Sequence, residues 1–169
     1  YHYELHLIGE SRVVSGITHW DELCKLSCVV MNLAVSHLML VGADGLLEEL
    51  LEFIAPRSPE LSSALRAIPS LRPEELRRTG FVIDTLQAAL WMAIYVESYE
   101  EGLTLVVNMG GDADTVGAVT GALLGARRAR SRTDSQPVRH RARSRSRSAG
   151  RPDRSAGDRR RRTAGSGSR

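Results

Sequence analysis

The sequence predicts an all-α fold, and three observations carry that expectation. Apolar residues recur at helical spacing through the first 126 residues, and helix-start signals stand in front of several of these runs. No stretch alternates apolar and polar residues as a half-buried strand would. Residues 103–107 are locally β-prone, but the capping signal and flanks around them favour helix.

The elements follow in order. Asp21 or Thr18 can cap a helix whose apolar positions are Leu23, Leu26, Val30, Leu33, Ala34, His37, Leu38 and Val41, and Gly42 stops it. Leu46, Leu47, Leu50, Leu51, Phe53 and Ile54 make a second, ended by Pro56. Ser58-Pro59 is a capping residue followed by proline at the first helical position, and it opens a third through Leu61, Leu65 and Ile68. Pro69 and Pro73 bracket a turn, with one helical turn expected over 74–78. Val82, Ile83, Leu86, Ala89, Leu90, Ala93 and Ile94 give a broad-faced fourth helix, expected at the centre. Ser98-x-x-Glu101 is a capping box for a fifth helix carrying Leu103, Val106 and Val107. A sixth is expected over 114–126.

Charge divides the chain after Ala126. Residues 127–169 hold 16 arginines and 3 aspartates, a charge of +13, so the first 126 residues carry −10 and the overall +3 describes neither part. The first part can bury one modest core. The second has almost no large apolar residue to offset its ordering entropy, and disorder is expected for 127–169. The repeat Arg143-Ser144-Arg145-Ser146-Arg147-Ser148 would attract nucleic-acid phosphates non-specifically, without aromatic residues for base stacking. A shifted reading frame in GC-rich coding sequence gives the same kind of peptide, and composition leaves both readings open. The chain begins at Tyr1 with no signal segment, and no run is read as a membrane span; the expectation is a fragment of a monomeric cytoplasmic protein.

The motif that bears on chemistry is Asn108-Met109-Gly110-Gly111-Asp112-Ala113-Asp114-Thr115. On a regular helix, aspartates two apart point roughly 200° from each other. At a glycine turn entering a helix they can converge, or they can simply cap its first turn. Carboxylate and hydroxyl oxygens are hard ligands suited to Mg²⁺, Mn²⁺ or Ca²⁺. The spacing is not that of an EF-hand, whose third acidic position and glycine are missing. After the motif, Ala113, Gly117, Gly121 and Gly125 recur every four residues, which leaves one helix face nearly bare for a close neighbour. A membrane span here would bury Asp112 and Asp114 near mid-bilayer, at about 2.5–3.5 kcal/mol for an aspartate at the helix centre. A buried core helix is the expectation.

The segment from Val107 through Asn108-Met109-Gly110-Gly111-Asp112-Ala113-Asp114-Thr115 to Gly125-Ala126 closely resembles the C-terminal signature of the ADP-ribosylglycohydrolase family. Ile17-Thr18-His19-Trp20 resembles that family's Thr-His segment, and Thr79-Gly80-Phe81-Val82-Ile83-Asp84-Thr85 resembles its helix start, in the same order. The likeness covers residues 15–126. It implies a compact all-α hydrolase bundle, here truncated, with a two-metal Mg²⁺ or Mn²⁺ centre that cleaves the glycosidic bond between ADP-ribose and a protein or small-molecule acceptor. It implies that Asp112 and Asp114 are catalytic and, with Thr115, metal ligands. It implies further that Gly110 and Gly111 bring backbone close to the ligand, that His19 hydrogen-bonds the diphosphate or ribose, and that Phe81 walls the pocket. Core packing is the alternative for Phe81, and a surface or capping role the alternative for His19.

The chain departs from the family pattern in one respect: no Thr-Asp-Asp metal motif occurs in its 169 residues. Mg²⁺ takes about six oxygens, and Asp112, Asp114 and Thr115 supply three. A non-catalytic ADP-ribose-binding relative is therefore the alternative to an enzyme, with nucleic-acid binding through the tail as a third reading. Other candidates read as structural. Asp84 sits in a first helical turn, where the helix dipole favours a carboxylate, with pocket lining as its alternative. Cys24 and Cys28 read as buried reduced thiols, His2 and His6 as surface histidines, and Thr18 as a cap.

Overall fold

The computed structural model describes residues 2–135. Among them lie seven α-helices, two 3₁₀ turns and no strand. The helices are α1 (His2–Thr18), α2 (Glu22–Leu40), α3 (Leu46–Ile54), α4 (Pro59–Ala67), α5 (Val82–Tyr95), α6 (Tyr99–Asn108) and α7 (Ala113–Ser135).

Side-chain caps fix several of these boundaries. Asp21, not Thr18, caps α2: its carboxylate accepts the N–H groups of Leu23 at 2.9 Å and Cys24 at 3.3 Å. Ser58 Oγ accepts Leu61 N–H ahead of α4, and Ser98 Oγ accepts Glu101 N–H ahead of α6. The turn expected over 74–78 is instead a 3₁₀ turn at Pro73–Glu75, where Glu75 reaches back to the Arg72 N–H. Residues beyond it leave helical geometry and form part of the site described below.

The main core joins Val29, Val30 and Leu33 of α2, Leu50 and Ile54 of α3 and Leu61 and Leu65 of α4 to Leu86, Leu90 and Ala93 of α5 and Leu123 of α7. A smaller cluster of Leu76, Met92, Val96, Val106 and Val116 ties α5, α6 and the start of α7 together. Helix α5 contributes to both, which makes it the central element that its broad apolar face predicts. Trp91 leans on both clusters and donates Nε1–H to Leu71 O at 3.0 Å.

The small-residue stripe of α7 faces α6, as its bare face requires. A Cβ added at Gly117 would lie 3.2 Å from Val107 Cγ2, and one at Gly121 would lie 3.5 Å from Tyr99 Oη. The approach is reciprocal, since a Cβ on Gly102 of α6 would press to 2.7 Å from Leu124 Cδ1.

Three findings depart from expectation. Helix α1 was not foreseen, because its apolar residues Leu5, Val13, Val14 and Ile17 are exposed and do not mark a buried stripe. Residues 26–43 contain no Asp, Glu, Lys or Arg, so α2 is long and apolar enough to cross a membrane by length and composition, which the reading of the sequence missed. Here α2 packs against α1, α3, α5 and α7 as a core helix. Cys24 and Cys28 are unpaired thiols as expected, but half-buried.

The charge break at Ala126 does not end the helix. Arginine is a good helix former, and α7 continues to Ser135 with three of its arginines bound to the body. Arg127 donates to Ala93 O at 2.7 Å in the last turn of α5, and to Val96 O and Glu97 O (2.6 Å) just beyond it. Arg128 pairs with Glu100 at 2.5 Å, and Arg130 donates to Leu40 O at the end of α2. The expectation of disorder thus fails over 127–135; over 136–169 it lies outside the described residues, as does the side chain of His2.

Arg127→Ala removes the donors for three carbonyls in and just after the last turn of α5. It should lower stability by about 1–3 kcal/mol in denaturant melts, whereas an unchanged midpoint would show that water serves those carbonyls equally well.

Candidate metal centre

Two loops meet where the candidate site residues stand. The first runs from Leu76 to Phe81, between the second 3₁₀ turn and α5. Leu76 is buried and anchors one end. Thr79 organises the rest: its Oγ1 donates to Asp84 Oδ2 at 2.6 Å and accepts the Phe81 N–H at 3.1 Å, while its carbonyl accepts Thr85 Oγ1–H at 3.2 Å. Arg77 Nε lies 3.5 Å from the same Asp84 oxygen. Asp84 is 5% exposed, so its carboxylate holds the loop from below, the structural role expected of it.

The second loop links α6 to α7 through Gly110 and Gly111, with φ of 74° and 75°. Side chains disfavour that conformation. Asp112 N–H donates to Arg78 O at 3.0 Å, which joins the two loops directly. Neither side of the junction has room for a side chain: a Cβ on Gly111 would overlap the Arg78 carbonyl oxygen, and one on Gly80 would stand 2.7 Å from Asp112 Oδ2. Gly80 therefore serves as the surface against which the Asp112 carboxylate lies. Asp112 O then accepts Val116 N–H at 3.0 Å and starts α7. The buried Val116 fixes the rotation of that first turn.

The glycine turn places Asp112 ahead of α7, which frees it from the regular-helix geometry that would point it roughly 200° away from Asp114. Asp114 holds its carboxyl below the ordinary range, first through a side-chain hydrogen bond with Asp112 and then through the N–H groups of Thr115 and of Asp114 itself. A hydrogen bond between two carboxyl groups needs a proton between them; a cation can take the same place. Asp112 is half-buried, while Asp114, Thr115 and Gly111 are exposed. The pair stands on an open surface rather than at the base of a cleft.

The donor set of two carboxylates and a hydroxyl fits a hard divalent cation in kind, and falls short of about six oxygens in number. Among the described residues no three His, Cys, Asp or Glu side chains converge. Phe81 heads α5 and is 46% exposed as a residue, so it is not a core residue. His19 lies elsewhere, exposed at the end of α1; its Nδ1 is 2.9 Å from Thr18 Oγ1, and its N–H donates to Ser15 O. Thr18 thus contacts His19 and does not cap α2. Reading the sequence located the carboxylates and glycines of the second loop. It missed the Arg78 carbonyl, because a backbone acceptor leaves no trace in side-chain chemistry, and it passed over the fit of Gly80 under Asp112.

Comparison with known proteins bears on this arrangement. The chain matches the ADP-ribosylglycohydrolase family over residues 3–134. It is 35% identical over 133 residues to the ADP-ribosylarginine hydrolase Tri1 of Pseudomonas putida, covering 69% of this chain and 31% of that protein. A second Tri1, from Serratia proteamaculans, is 43% identical over 53 residues, 31% of this chain and 14% of that protein. The ADP-ribosyl-[dinitrogen reductase] glycohydrolase of Rhodospirillum rubrum is 29% identical over 110 residues, 65% of this chain and 35% of that protein. The chain spans about a third or less of the length of these relatives.

Gly111→Ala places a side chain at positive φ and against the Arg78 carbonyl. It should destabilise the fold by about 1–3 kcal/mol or more, and Gly80→Ala should shift the Asp112 resonances without a comparable loss of stability. Equal melting of Gly111→Ala and the parent chain would show that the two loops do not depend on this contact.

Proposed function

The chain belongs to the ADP-ribosylglycohydrolase family, and on that premise we propose that it forms part of a metal-dependent hydrolase that releases ADP-ribose from an ADP-ribosylated protein. The observation that carries the proposal is the glycine turn itself: Asp112 N–H donates to Arg78 O at 3.0 Å, the Asp112 carboxylate lies against Gly80, and Asp114 and Thr115 follow in the first turn of α7. Those three residues would hold a Mg²⁺ or Mn²⁺ ion. When bound, such an ion acts as a Lewis acid and orients water for attack at the anomeric carbon of the ribose.

The remaining roles belong to the chain's own groups. Gly110 carries no neighbour within 4 Å of a would-be Cβ, so a ligand can approach the backbone there. The exposed face of Phe81, on the partner loop, offers an apolar wall for a sugar or base. Thr18 engages His19 Nδ1, which leaves Nε2 for a hydrogen bond to a ribose hydroxyl or diphosphate oxygen. The named relatives act on ADP-ribosylarginine and on ADP-ribosylated dinitrogen reductase, which supports a protein-linked substrate. The three oxygens on this chain imply that further ligands come from a segment of the kind that carries a Thr-Asp-Asp motif.

Calorimetric titration of Mn²⁺ tests the reading. The chain alone should bind at about millimolar affinity, as sparse oxygen sites do. A chimera that adds a family segment with Thr-Asp-Asp should bind at least tenfold more tightly and release ADP-ribose from an ADP-ribosylated peptide. Asp114→Ala in the chimera should abolish both properties, and His19→Ala should chiefly weaken ADP-ribose binding. A folded chimera that binds Mn²⁺ equally well with Asp112 and Asp114 both replaced by alanine would contradict the assignment.

A further inference from the structure

Thr79 stands between the two residues that receive Asp112. The residue before it, Arg78, gives its carbonyl to the Asp112 N–H at 3.0 Å. The residue after it, Gly80, leaves open the space in which Asp112 Oδ2 lies, 2.7 Å from where a Cβ would stand. Asp112 is thus seated twice, at its backbone and at its carboxylate. Among the described residues the Arg78 side chain makes no hydrogen bond or ion pair, and Gly80 has no side chain to make one. Neither seat holds itself in place.

Residue 79 holds both. Its hydroxyl donates its one hydrogen to Asp84 Oδ2 at 2.6 Å and accepts the Phe81 N–H at 3.1 Å. Its carbonyl accepts Thr85 Oγ1–H at 3.2 Å. Asp84 and Thr85 lie in the first turn of α5 and are 5% and 6% exposed, so the side chains that grip Thr79 are themselves packed. A hydrogen bond to a carboxylate is roughly twice as strong as one between neutral groups. That bond also serves a buried carboxylate, and on that account alone its effect would end at the head of α5. The flanking residues carry it further. A shift of residue 79 moves the Arg78 carbonyl and the Gly80 backbone together, and the head of α7 with them.

We propose that Thr79, held by the buried Asp84, is the positioning residue of the centre. It fixes the two seats of Asp112 and so sets how tightly that carboxylate engages a divalent cation. Loss of a group that orients a metal ligand typically costs about 10–100-fold in metal affinity. The same hydroxyl takes the Phe81 N–H, which keeps the apolar wall in register with Asp112. The proposal rests on the metal reading above.

Two observables test it in the full chain: the amide and carboxyl resonances of Asp112 in EDTA, and the broadening of residues 111–115 by Mn²⁺. Thr79→Val keeps the shape of the side chain and removes the hydroxyl. It should move both Asp112 resonances and require about tenfold more Mn²⁺ for equal broadening. Thr79→Ser should return both to the behaviour of the parent chain. Leu61→Ala opens a cavity in the main core and should lower the Tm while changing neither observable. Thr79 is exposed, so the variants should fold; if the valine variant does not, Thr79→Ala removes the hydroxyl without its methyl groups and gives the same measurement. Unmoved Asp112 resonances in a folded valine or alanine variant, a serine variant as impaired as the valine one, or equal shifts from Leu61→Ala would overturn the proposal. Broadening indifferent to replacement of Asp112 and Asp114 by alanine would overturn the metal reading instead, while movement of the Asp112 resonances in EDTA would still support Thr79 as what positions that carboxylate.

Discussion

The Asp112 N–H donating to the Arg78 carbonyl is one hydrogen bond, but it closes a junction that permits no side chain on either strand of backbone. Gly111 must be glycine for its φ and again for its contact with that carbonyl, and Gly80 must be glycine for the Asp112 carboxylate to lie where it does. Two carboxylates in one helical turn would otherwise diverge. The position of Asp112 at the head of α7 follows from this contact.

The helices serve to hold the two loops still. Thr79 and the buried Asp84 carboxylate tie the first loop to the head of α5, and Val116 in the smaller core cluster ties the second to α5 and α6. Helix α7 lies close to α6 because its glycines give no side chain to intervene, and the closeness sets how short the Met109–Asp112 turn can be. Arg127 and Arg130 secure the far end of α7 by donating to the last carbonyls of α5 and α2, where helix ends leave acceptors unserved. A strongly basic segment is thereby partly structural.

Much of this was legible in the residues because the signals were local. The caps Asp21, Ser58 and Ser98, the breakers Gly42 and Pro56 and the glycine stripe of α7 each act within a few residues of where they stand. The all-α class, the central place of α5 and the glycine turn ahead of Asp112 came from such signals. What was not legible depends on partners far along the chain. Helix α1 hid because only Leu7 and Ile8 of its large apolar residues pack on the core while Leu5, Val13, Val14 and Ile17 are exposed, so its periodicity marks no single buried stripe. The continuation of α7 past Ala126 hid because composition reports charge but not the carbonyls of Ala93 and Leu40 that await it. The Arg78–Asp112 contact joins residues 34 apart through backbone atoms alone, which no side-chain pattern announces.

The same geometry makes the site both specific and insufficient. On the proposed reading, Asp112, Asp114 and Thr115 would offer a hard cation three oxygens, and three on an open surface would hold such an ion weakly. The most direct measurement is paramagnetic broadening of amide resonances by substoichiometric Mn²⁺ in the full chain. If the junction of the two loops creates the cation site, the amides of residues 78–81 and 111–115 should broaden together and first. Broadening that begins instead along the acidic turn of α3 at Glu48, Glu49 and Glu52, or that spares residues 78–81, would contradict it.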